Sequence, residues 1–135
     1  MTIPRVSNAL WGRIAGLSGQ RLATPANQSH FSVQAVSAAH VTVTTRGNST
    51  LNISRDAFEQ ALDYLHIHGH KGQANHIDIG SNKTASQAGP LCQAARTDAN
   101  GNLGRMVITY VLPILEACGA VHIARTVRPS NVWLP

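Results

Sequence analysis

At Ser54 the apolar residues change their period, and that change constrains the fold more than any other feature of the chain. Before it, Phe31, Val33 and Ala35 alternate with polar residues, as do Val41 and Val43, and then Leu51 and Ile53. Alternation of this kind sets one face of a strand against a core and the other against water. Strands are expected at 30–36, 40–46 and 50–53, joined through the Arg46-Gly47-Asn48-Ser49 turn into an antiparallel meander with a threonine-rich solvent side. After Ser54, the apolar residues Phe58, Ala61, Leu62 and Leu65 recur at helical spacing. Ser54 can cap that helix, and Asp56 complements its dipole. Ile53 and Phe58 stand at the staple positions on either side of the cap. A sheet followed directly by an amphipathic helix points to an α+β protein.

The remaining elements are shorter. Residues 7–18 read as a helix capped by Ser7, with Leu10, Ile14 and Leu17 on one face and Gly19 as its stop, followed by a turn at Thr24-Pro25. Residues 66–76 are polar and glycine-containing, which predicts a loop, with a short strand at 76–79. Gly89-Pro90 opens a helix to Arg96, because proline is tolerated in the first helical turn. A turn over Asp98–Asn102 leads to a helix over 104–118, on which Val107, Val111, Leu115 and Cys118 share a face. Pro113 and the β-branched run Met106–Leu112 argue for a strand there instead; apolar spacing favours the helix. Strands at 120–125 and 131–134 close a hairpin around Arg128-Pro129-Ser130. Two parts, 1–53 and 54–135, are expected within one compact unit.

From residue 55 the order is helix, short strand, helix, helix, hairpin. It resembles the winged helix-turn-helix in architecture, over about 80 of the 135 residues. The resemblance implies duplex DNA as partner. It implies that the helix from Gly104 presents Asn102, Arg105 and Thr109 to base edges. It also implies that Arg125 and Arg128 on the wing, with Lys83, contact phosphates. The turn at 97–103 is longer than in compact helix-turn-helix units.

Charge agrees in direction. The chain carries +5, and nine of its eleven basic residues are arginine, whose planar fork suits phosphate. Residues 1–50 hold Arg5, Arg13, Arg21 and Arg46 and no acid, whereas Asp56, Glu59, Asp63 and Asp78 fall between 51 and 80. Basic ends around an acidic middle point to a polyanion. Cys92 and Cys118 sit among apolar neighbours and read as reduced core residues. No apolar run is long enough to span a membrane, no secretory signal is legible, and the expected location is cytoplasmic.

His66, His68, His70 and His76 are the candidate metal ligands. In an extended strand the first three would share a face, but their spacing fits no zinc motif, and no thiolate or fourth ligand stands near. The reading is therefore a solvated loop, with no metal and no cofactor. Asp56, Glu59 and Asp63 read as a wet helix face, and no serine elbow or phosphate-binding glycine run is present. The expected function is non-enzymatic DNA binding or regulation. The alternatives are a protein-interaction module or homo-oligomer and, third, a small metal-dependent hydrolase using Asp78 and Lys83.

Overall fold

The computed structural model describes residues 4–27, 29–82, 84–97 and 104–135. Four helices, a four-stranded antiparallel sheet and a three-stranded sheet make an α+β fold. Helix α1 (Asn8–Ala15) begins where the Ser7 side chain accepts from the Leu10 N–H, and it buries Leu10, Trp11 and Ile14.

Strands β1 (Arg21–Ala23), β2 (His30–Val36), β3 (His40–Thr44) and β4 (Thr50–Ser54) pair in chain order. Three of these match the alternation, and β1 is an addition to the expected meander. Only Leu22 of its residues is strongly apolar, so its strand conformation rests on the ladder to β2, with Arg21 opposite Ser32 and Ala23 opposite His30. A second difference lies within β2. The register shifts between Val33 and Ala35, a bulge that sends Ala35 outward to solvent and moves Val36 to the place opposite Val41. Phe31, Val33, Val41, Val43 and Ile53 are buried, and Leu51 packs against them partly covered.

Helix α2 (Arg55–Ile67) starts at Ser54, whose hydroxyl accepts from the Ala57 N–H. It packs against α3 (Pro90–Arg96) and α4 (Ile108–Ala117). Trp11 joins α1 to α2 through an edge-to-face contact with Phe58 at 5.5 Å, and its indole N–H donates to the Ser37 carbonyl at 2.9 Å. The acids of α2 are not simply solvated. Glu59 accepts from the backbone N–H groups of Arg5 and Val6, both at 2.6 Å, and Asp63 pairs with Arg5 at 3.1 Å.

The segment after Arg96 is a helix and not a strand, but it starts at Ile108 and not at Gly104. Val107 occupies the cap position at φ −125° and ψ −9° with no side-chain cap. Residues 104–107 stay non-helical, held in part by the Gly104 N–H donating to the Arg96 carbonyl at 2.6 Å. Helix α4 is core: Ile108, Val111, Leu112, Pro113, Ile114 and Leu115 are all buried, which favours this helix over its proline and its β-branched residues.

Strands β5 (Ile77–Asp78), β6 (His122–Ala124) and β7 (Asn131–Trp133) form the second sheet in the order β5–β7–β6. The strand between α2 and α3 therefore pairs with the far strand of the C-terminal hairpin, Ile77 opposite Val132. Gly80, at φ +63°, crosses Gly89 so closely that a Cβ on Gly80 would stand 2.8 Å from the Gly89 Cα. One hydrophobic core draws residues from both sheets and all four helices. No helix among the described residues is long and apolar enough to cross a membrane.

Candidate functional site

Six of the nine arginines direct their guanidinium groups to acceptors within the protein. Arg5 pairs with Asp63, and Arg13 donates to the Cys118 carbonyl. Arg55 donates to the Val6 carbonyl and Asn8 Oδ1 and lies over the Trp11 ring. Arg96, only 8% exposed, donates to the carbonyls of Gly104 and Asn82.

The two arginines of the C-terminal hairpin are also engaged. Arg125 pairs with Glu116 at 2.6 Å and donates to the Thr24 carbonyl, Asn27 Oδ1 and the Ala23 carbonyl at 2.7, 3.0 and 3.3 Å. Arg128 donates to the Ala26 carbonyl at 3.1 Å and to those of Arg125 and Val127. Together they fasten the C-terminal hairpin to the loop between β1 and β2. In that loop the Thr24 hydroxyl and backbone N–H both donate to the Ser29 carbonyl.

Arg21, Arg46 and Arg105 remain. All three are exposed, and none has a hydrogen bond or ion pair among the described residues. The sheet explains why two of them meet. Arg21 stands opposite Ser32, and Ser32 opposite Thr44, in one row across the strands. His30 lies two residues from Ser32 on the same face, and Arg46 follows in the β3–β4 turn beyond Thr44. These side chains line a cavity of about 450 Å³, and no aspartate or glutamate contributes to it. The cavity ends at the β3–β4 turn, where Asn48 adopts a left-handed φ of 62° and its N–H donates to the Thr45 carbonyl. On the other flank of the same turn, Thr45, Ser49 and Thr50 line a groove of about 510 Å³ with Arg105, Met106 and Tyr110. Three free guanidinium groups thus border one turn.

The residues singled out from the sequence are placed differently. Asn102 and Lys83 lie outside the described residues. Arg105 precedes α4 and is not on it, and Thr109 sits half-buried in the helix. With so little of α4 exposed, this helix offers core side chains and not a groove-reading face. Helix α2 runs through Ile67, so His66 is helical and His68 ends the helix, while the His68 and His70 rings lie 6.4 Å apart beside Tyr64. His70 and His76 donate from Nδ1 to the carbonyls of Asn75 and Gln73 at 2.8 and 2.9 Å. The His68 ring lies 4.2 Å from that of Tyr64. Partial desolvation, with the Arg5 charge second, lowers the His66 pKa. Among the described residues, no group of three or more His, Cys, Asp or Glu side chains is arranged to hold a metal.

Sequence reasoning missed Arg21, His30 and Arg46 as a group. The signal that bore on them was the absence of any acid in residues 1–50. Comparison with protein-family models, curated proteins and solved structures gave no match.

Proposed function

We propose that the protein binds nucleic acid, with duplex DNA as the first partner to test, and that Arg21, Arg46 and Arg105 around the β3–β4 turn carry the phosphate contacts. The observation behind this reading is that these three arginines have no internal partner and cluster at one turn. Arginine presents a planar fork of donors to phosphate oxygens, and no carboxylate lines the cavity of Arg21 and Arg46 to oppose an approaching anion. The winged-helix-like order of the C-terminal half supports the same class of partner, with β5 paired to the hairpin as a third strand. The contacts differ from those the resemblance alone implies, since α4 is buried and the hairpin arginines are spent on the β1–β2 loop.

Fluorescence titration of a mixed-sequence duplex across a salt series tests the reading. Neutralising three phosphates gives a slope of log K against log salt of about −2.7, and each Arg→Gln change at these positions reduces its size by about 0.9. Binding without salt dependence, or a slope unchanged in the triple variant, would refute the assignment. The exposed large hydrophobic side chains among the described residues are Ile67 and Val127, so no broad apolar patch favours a protein-interaction surface.

A further inference from the structure

We infer that the cavity formed by Arg21, His30 and Arg46 is a discrete phosphate-binding site that accepts one nucleotide unit, either free or within a strand. The inference deepens the nucleic-acid reading and rests on the same free arginines. It adds that one of the two concave surfaces at the turn is a built pocket and not merely part of a basic face.

Four observations carry it. First, the pocket floor is rigid ladder. Arg21, Ser32 and Thr44 come from three neighbouring strands paired in register, so these three project from the sheet, and Arg46 reaches the cavity from the β3–β4 turn. Second, the lining combines two kinds of donor that phosphate uses: guanidinium groups from Arg21 and Arg46, and hydroxyls from Ser32 and Thr44. The Thr44 hydroxyl already donates to Gln34 Oε1 at 3.0 Å, so it offers an oxygen nearby and turns toward a ligand only by exchanging that bond. The two arginines have no such bond to give up. Third, no carboxylate lines the cavity, so nothing inside neutralises the arginines. Two guanidinium groups facing one cavity without a counter-ion repel each other, and a bound anion relieves that repulsion. Fourth, the volume of about 450 Å³ is far more than a lone phosphate fills and lies within the range of small-ligand pockets. The excess is room for a sugar and base, for which His30 supplies a ring and Asn48 an amide at the rim.

The adjoining groove lined by Arg105 lacks this convergence. It has one free arginine, and the apolar side chains Leu51, Met106 and Tyr110 supply much of its wall. Arg105 is therefore a flanking contact to a longer strand, and the pocket is the seat of one phosphate.

The test uses amide chemical-shift mapping of the full chain with three probes: inorganic phosphate, adenosine monophosphate and a short single strand. The expected result is saturable shifts centred on residues 21, 30–32 and 44–48 with all three probes. The monophosphate should bind more tightly than inorganic phosphate, because sugar and base occupy the remaining volume. Arg21→Gln and Arg46→Gln should each weaken monophosphate binding about tenfold, whereas Arg105→Gln leaves it unchanged and weakens only the strand. Shifts that fail to saturate, that spread equally to residue 105, or that are absent with both small probes overturn the inference. Because the mapping is done on the unaltered chain, it decides the matter even if a variant folds poorly. Mononucleotide binding without duplex binding would remove the nucleic-acid reading and leave the pocket. Duplex binding without monophosphate binding would remove the pocket and leave the nucleic-acid reading.

Discussion

Arg125→Ala is expected to destabilise the protein by about 2–3 kcal/mol. The side chain is 21% exposed and its partner Glu116 30%, so the pair is neither fully solvated nor fully buried. A solvent-exposed pair of this kind contributes only about 0.2–1 kcal/mol. Arg125 does more than pair, since it also donates to the Ala23 carbonyl at the end of β1 and to the Thr24 carbonyl and Asn27 Oδ1 in the loop that follows. Net hydrogen bonds to charged groups are each worth about 1.5–3 kcal/mol when shielded, and partial rehydration of the freed acceptors reduces that sum to the stated range. For a chain of this length the loss lowers Tm by about 6–15 °C. Urea denaturation of Arg125→Ala, Glu116→Ala and the double variant measures it, and the cycle should give a coupling of about 1 kcal/mol. A loss below about 0.5 kcal/mol with no coupling would mean that Arg125 is effectively solvated. It would then be free to contact phosphate, as the hairpin of a winged helix implies.

Gly80→Ala should cost about 2–3 kcal/mol, since it forces a positive φ on alanine and drives a Cβ to 2.8 Å from the Gly89 Cα; a melting curve within 2–3 °C of the parent would contradict that close approach. Glu59→Gln should cost about 1–2 kcal/mol and speed amide exchange at Arg5 and Val6, because both N–H groups are held by the carboxylate. Burial raises the Cys118 thiol pKa, with Arg13 partly opposing. The thiol's contribution is therefore complete below the ordinary thiol value and is lost as pH rises through the raised one. Urea midpoints compared on either side of the thiol range should fall more in the parent than in Cys118→Ala, and equal falls would refute this.

The parts of the fold legible in the sequence were those in which local pattern and burial agree. Phe31, Val33, Val41, Val43 and Ile53 announced the sheet, and Ser54 with Phe58, Ala61 and Leu65 announced α2. Strand β1 was not legible, because its three residues have no alternation of their own and are extended only by pairing with β2. The bulge at Val33–Ala35 was hidden for a related reason, since nothing local distinguishes Ala35 from an inward residue. The start of α4 was misplaced because no capping residue marks it and tertiary packing sets it. The candidate site was legible only as composition. Arginine content could be counted, but whether an arginine is free depends on neighbours far along the chain. Arg125 finds Thr24 across 101 residues, whereas Arg21 and Arg46 find none.

The fastening of residues 23–27 by Arg125 and Arg128 also sets an order of assembly. The loop leaves the ribosome about a hundred residues before the side chains that hold it. The meander and α2 are local enough to form early. The loop that joins β1 to β2, and which contributes Ser29 to the pocket rim, is secured only when the hairpin arrives. A nascent chain therefore carries Arg21 and Arg46 beside an unsecured rim until the hairpin has emerged and docked.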